Sequence, residues 1–315
     1  MTSTDTSLTA TPTKVSPAAR WLSPVLLANL IAQVGIIVTG GLVRVTGSGL
    51  GCPTWPQCVE GSITPTVEQA QGFHKYIEFG NRSLTGVLAV LAIATVLAVW
   101  RWAPRSAMKV ASLVVLGGVV FQALLGGMTV LLGLNPATVA AHFLVSAMLV
   151  TAASYLWFTR HEGAGLPKPL VPPLVSRLAA GTAAVGGVVL LLGTIVTGSG
   201  PHSGDAQEPA RFGFDARTIS WLHADVVMLF IGLVVATWLA ARLASVDGDP
   251  RPGRAWLVVL GVTLAQGLIG YVQYFTGLPE ALVVAHMLGA SLLVVALTHG
   301  ILGLRGRSDL FDAAD

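Results

Sequence analysis

Three histidines interrupt long apolar runs: His142, His223 and His286. A carboxylate, a carboxamide and a guanidinium open another such run in Ile77-Glu78-Phe79-Gly80-Asn81-Arg82-Ser83. Ionisable groups at membrane depth are costly and are functional candidates by default. Neutral imidazole binds zinc, copper or haem iron. Zinc wants three or four protein ligands, and no cysteine or further histidine lies near these positions in sequence. Haem needs only one or two axial ligands and an apolar slot for a flat macrocycle. Glycines at 117, 118, 126, 127, 267 and 270 provide small residues at which helices can part to make such a slot, or simply pack closely. Arg44, Arg82 and Arg217 stand at the same ends of the runs. They suit haem propionates or, equally, lipid phosphates reached by snorkelling.

The elements that position these groups follow from composition. Of 315 residues, 53% are hydrophobic and 10% charged, against about a quarter charged in a soluble domain. The net charge is +3 and no basic stripe points to nucleic acid. About 20 apolar residues cross a bilayer as a helix. Eight such runs occur, at 24–43, 77–100, 108–132, 137–158, 174–197, 218–243, 254–276 and 281–303. The fold expected is an all-α integral membrane protein with eight transmembrane helices. Residues 1–20 are Ser/Thr/Pro/Ala-rich, lack the features of a secretory signal, and are expected to be a disordered cytoplasmic segment.

Lysine and arginine set orientation. One side of the membrane would hold thirteen: Lys14, Arg20, Arg101, Arg105, Lys109, Arg160, Lys168, Arg177, Arg242, Arg251, Arg254, Arg305 and Arg307. The other would hold five: Arg44, Lys75, Arg82, Arg211 and Arg217. Both termini are therefore expected in the cytoplasm. Cys52 and Cys58 fall outside, where a disulfide persists. Their Pro-rich spacer suits neither a redox CxxC nor a zinc site.

The halves repeat. Val-Thr-Gly-Ser-Gly occurs at 45–49 and 196–200. Residues 121–143 align with 265–287, bringing Gln122 onto Gln266, Gly126 onto Gly270, Gly133 onto Gly277 and His142 onto His286. Residues 78–83 align with 220–225, placing Asn81 opposite His223. The chain thus reads as two pseudo-symmetric four-helix bundles, 21–160 and 161–304, with a cytoplasmic tail at 305–315. Each histidine stands about one and a half turns inside the outer end of its helix.

The motif Gly-Gly-Leu-Val-Arg-Val-Thr-Gly-Ser-Gly-Leu-Gly-Cys-Pro-Thr-Trp-Pro-Gln-Cys at 40–58, the Glu78 cluster, and His142, His223 and His286 together resemble the haem A synthase family. The resemblance covers nearly all of the chain after residue 20. It implies an oxidoreductase that oxidises the C8 methyl group of haem O to a formyl group, giving haem A for cytochrome oxidase. It further implies a haem b cofactor on His223 and His286 in the second half. The substrate haem O would be held by His142 in the first half, with Glu78 as the catalytic carboxylate. Partners implied are a haem O synthase and the oxidase assembly machinery, in a bacterial-type plasma membrane. Self-association stays open.

Two departures from the family pattern stand out. The family often has Glu-x-x-His in the second span; here Glu78 is followed by Asn81, a poor iron ligand. Either His142 binds alone or another group supplies the opposite position. His74, seven residues before Asn81 and about 10 Å away along a helix, is the candidate. The loop between the fifth and sixth spans has no second cysteine pair. Asp225 points away from the His223 face, His161 and His202 are loop residues, and His299 stands near the inner end of the last span. Two alternatives remain: a membrane cytochrome b-type electron carrier that does no chemistry on haem, and a transporter with a histidine proton relay.

Overall fold

A computed structural model describes residues 21–67, 69–205, 207 and 209–307. The expectations for residues 1–20 and for the tail beyond Arg307 lie outside the described residues. Eight helices are long and apolar enough to cross a membrane. They are α1 (Leu22–Val45), α2 (His74–Trp102), α3 (Ser106–Leu131), α4 (Pro136–Phe158), α5 (Pro173–Ser199), α6 (Ala216–Leu243), α7 (Arg251–Phe275) and α8 (Glu280–Leu302). A multi-pass membrane protein follows from their length and composition.

Sequence chemistry starts and stops these helices. Asn135 caps α4 by accepting from Ala137 N at 3.0 Å, with Pro136 at the first helical position. Asp215 caps α6 by accepting from Thr218 N at 2.8 Å. The turns before α4 and α8 have the same form, each with a Gly-Leu pair at positive φ: Gly133 and Leu134, Gly277 and Leu278. The first pair member is the default residue for that conformation.

Each helix packs on its neighbour in sequence, and α1 also closes on α4. The halves meet through α1 on α8, α4 on α8 and α4 on α5, while α5 and α8 touch only lightly. Gly41 of α1 lies against Met287 of α8, where a Cβ would come within 2.6 Å of the sulfur. Separate apolar clusters fill the first half (Leu26, Ala92, Val99, Leu156), the second half (Phe230, Val234, Trp256, Val259) and the seam (Leu30, Ile37, Val150, Val294). At one end, Lys168–Pro169 (β1) pairs antiparallel with Arg305–Gly306 (β2), a small ladder that ties the segment before α5 to the segment after α8.

Candidate functional site

The four repeat-related polar residues occupy one level at the end of the molecule that carries the cysteine loop. Asn81, His142, His223 and His286 lie seven, six, seven and six residues into α2, α4, α6 and α8. At about 1.5 Å per residue that is a common depth of about 10 Å. All three imidazoles are half-buried and their Nδ1 atoms have no hydrogen-bond partner. His223 also reaches the Val189 backbone of α5. The rings of His223 and His286 lie within electrostatic range of each other.

The helices preceding α4 and α8 support these histidines in the same way twice. Gln122 Nε2 donates to His142 O at 2.8 Å, and Gln266 Nε2 donates to His286 O at 2.8 Å. One turn on, a Cβ at Gly126 would stand 3.2 Å from His142 Cε1, and one at Gly270 would stand 3.1 Å from His286 Cε1. Glutamine fixes the helix carrying the histidine, and glycine makes room for its ring. Gly193 faces His223 with ordinary contact space, 3.5 Å to Cε1. The repeat marked the Gln and Gly pairs. The role of Gly193 has no counterpart signal in the sequence.

Asn81 is not aligned with a partner imidazole of its own half by any hydrogen bond; its side-chain oxygen accepts from Thr39 Oγ1 of α1 at 2.7 Å. His74 is the first residue of α2, and its Nδ1 shares a 2.8 Å hydrogen bond with Ser48 Oγ. The helix therefore extends to His74, while the ring is engaged with the α1–α2 loop.

Glu78 is 4% exposed and both of its oxygens are used. Oε2 accepts from Cys52 N at 2.6 Å; Oε1 accepts from Arg82 Nε at 2.9 Å and Nη2 at 2.6 Å. Arg82 also donates to the carbonyls of Cys52, Thr54 and Gln57, so all five guanidinium donors are occupied. The loop so held is closed by a Cys52–Cys58 disulfide with S–S 2.00 Å. Its Trp55 indole lies on Gly127 of α3, where a Cβ would come within 2.5 Å of the ring. Glu78 and Arg82 thus clamp a disulfide-closed lid over the first half.

Two of the three arginines bond groups of the protein itself. Arg82 holds the lid. Arg44 Nη2 donates to Thr197 O at 2.8 Å and its Nε to His202 O, tying α1 to the second half. His202 in turn bonds Leu278 O at 3.0 Å. Arg217 is exposed on the first turn of α6. Asp225 is exposed on α6, and His299 packs on Phe158 with ring centroids 4.6 Å apart, away from the other histidines. Among the described residues, no group of three His, Cys, Asp or Glu side chains comes together as a metal site. The arrangement offers paired imidazoles in the second half. In the first half His142 stands at the matching depth on α4, His74 is engaged with Ser48, and Glu78 is buried beneath the disulfide-closed loop.

Residues 23–206 match a protein family described as cytochrome oxidase assembly protein (COX15-CtaA). A protein of Rhizorhabdus wittichii named heme A synthase is 26% identical over 94% of this chain and 98% of its own length. Proteins of the same name from Alkalihalophilus pseudofirmus and Bacillus licheniformis are 34% and 35% identical over 42% of this chain. In these two matches the chain spans about half the length of the relative, 46% and 42%.

Proposed function

The chain belongs to the cytochrome oxidase assembly protein family, and from that premise we propose that it is a haem A synthase. In this reading it is a membrane oxidoreductase that converts the C8 methyl group of haem O to a formyl group, with haem b as cofactor. The observation that carries the proposal is the pair His223 and His286 at a common depth on α6 and α8, each with an orphaned ring nitrogen and a glycine against its ring. These residues fit a haem: the two imidazoles from α6 and α8 would hold its iron, and among the described residues no three-donor metal cluster comes together here. When bound there, haem b supplies one-electron transfer.

The protein's own groups divide the remaining work. His142 holds the substrate haem iron, with Gln122 fixing its helix and Gly126 leaving space for its ring. Asn81, turned to Thr39, leaves the opposite side of that pocket without an imidazole from α2. The disulfide lid excludes water from the outer mouth. Glu78 lies one turn before Asn81 on α2 and accepts or returns a proton beside the methyl group being oxidised, with Arg82 stabilising its charged form. The arginine and lysine distribution supports placement in the plasma membrane with both termini cytoplasmic and the lid outside. A haem O synthase would supply the substrate and the oxidase assembly machinery would take the product.

Two measurements test this reading. The purified chain should show the visible bands of a low-spin haem b; a colourless protein that stays so when offered haem would overturn it. Asn81→His should convert the substrate haem toward a six-coordinate, low-spin spectrum, because α2 then presents an imidazole opposite His142. An unchanged spectrum would mean that another group already occupies that side.

A further inference from the structure

The opposite end of the molecule carries a charge cluster that the haem chemistry does not use. Glu162 Oε2 accepts from Arg105 Nη1 at 2.9 Å, and lies 3.4 Å from Arg307 Nε and 3.6 Å from Arg305 Nη2. Three guanidinium groups therefore share one carboxylate. Arg105 is only 6% exposed; its Nη2 donates to Thr159 O, but its Nε is buried without a hydrogen-bond partner. Burial holds its pKa below the usual arginine range, with Glu162 pushing it back up. Arg307 Nε likewise lacks an aligned acceptor. Arg105, Ser106, Ala107 and Arg307 line a cavity of about 240 Å³ with Pro104 and Ala164.

Ser106 is the first residue of the 26-residue α3, so the cavity also faces a helix N-terminus, which favours an anion. A second cavity, of about 280 Å³, is lined chiefly by apolar side chains, including Ala180, Ile301 and Leu304, with Arg305 at its edge. The level is that of lipid headgroups: Lys109 lies over Trp100 and Arg160 over Trp157, the aromatic and basic pairing of a membrane interface.

We propose that the cavity formed by Arg105, Ser106 and Arg307 binds the phosphate of an anionic phospholipid whose acyl chains run into the bilayer. The excess of guanidinium over carboxylate selects an anion. The headgroup level of the cavity, marked by the Lys109–Trp100 and Arg160–Trp157 pairs, selects a lipid over free phosphate. Bound there, the lipid joins α3, the α4–α5 loop and β2, and so braces the two halves at the end remote from the histidines.

The test uses the full-length chain purified in detergent, delipidated, and examined by native mass spectrometry with phosphatidylglycerol, phosphatidylcholine or inorganic phosphate added. Phosphatidylglycerol should bind in preference to phosphatidylcholine and should survive inorganic phosphate. Arg307→Gln should weaken it about fivefold, as expected for one basic side chain at a headgroup, and Arg307→Lys should restore most of it. Circular dichroism of the variants checks the fold. Equal binding of the two lipids, or no effect of Arg307→Gln in a folded protein, overturns the proposal. Displacement by inorganic phosphate reassigns the cavity to a free anion and overturns the lipid assignment. Asp309, Asp312 and Asp315 follow Arg307 in sequence. Binding seen only in a chain ending at Arg307 would make that acidic segment the occupant and equally overturn it.

Discussion

Replacing His286 with alanine is expected to strip the proposed haem b from the protein, and replacing His223 is expected to do the same. Each substitution would remove one of the two imidazoles proposed to hold it, which stand at a common depth on α6 and α8. Neither α6 nor α8 offers a second imidazole at that depth: His299, the other histidine of α8, sits at the far end of the helix against Phe158. His142→Ala provides the contrast. Its ring lies in the other half, beside Gly126, so the haem b bands should persist while the substrate haem is lost. The pyridine haemochromogen spectrum of the three purified variants checks this. Loss of haem b in His142→Ala with retention in His286→Ala would reverse the assignment of the halves.

The second large effect concerns Glu78. Glu78→Ala should leave the haem b spectrum intact and lower haem A output by about 100-fold or more, the range for loss of a positioned acid–base group. The structure adds a rival cause, because Glu78 also holds Cys52 N and Arg82. Glu78→Gln separates the two. A glutamine oxygen still accepts one of those hydrogen bonds, which keeps the lid in place, but the side chain no longer takes up a proton at neutral pH. Loss of haem A in both variants assigns the proton role; normal output from Glu78→Gln would reduce Glu78 to a clamp. Arg82→Ala is the harsher change. It leaves a buried carboxylate without its counter-charge, a loss typically costing about 3–5 kcal/mol, and should release the lid.

The helices were legible because lipid leaves the backbone no partner but itself, so an apolar run of sufficient length must be helical. Their ends were less so. The run at 77–100 is α2 from His74 to Trp102, since hydropathy stops at the first polar turn while the helix does not. Lys75, counted as loop, is 3% exposed and donates to Thr66 O and Val67 O, which anchors that turn. The common depth of His142, His223 and His286 was legible from the internal repeat. Glu78 and Arg82 stand four residues apart on one helix face, the spacing at which such a pair forms. What Arg82 and Arg44 grip was not legible, because their acceptors are backbone carbonyls of loops, and side-chain identity does not encode where a loop carbonyl points. The same holds for the Gln122 and Gln266 bonds to histidine carbonyls. The repeat marks the positions as special and is silent about the partner.

Haem extraction reads the conversion of haem O to haem A without intermediary. The chain is to be expressed in a host that makes haem O but has no haem A synthase of its own, and the acid-extracted haems separated by chromatography. Haem A should appear with the intact chain and disappear with Glu78→Ala, while haem b remains on the protein in both. Haem O alone, recovered from cells that contain folded, haem b-loaded protein, would contradict it.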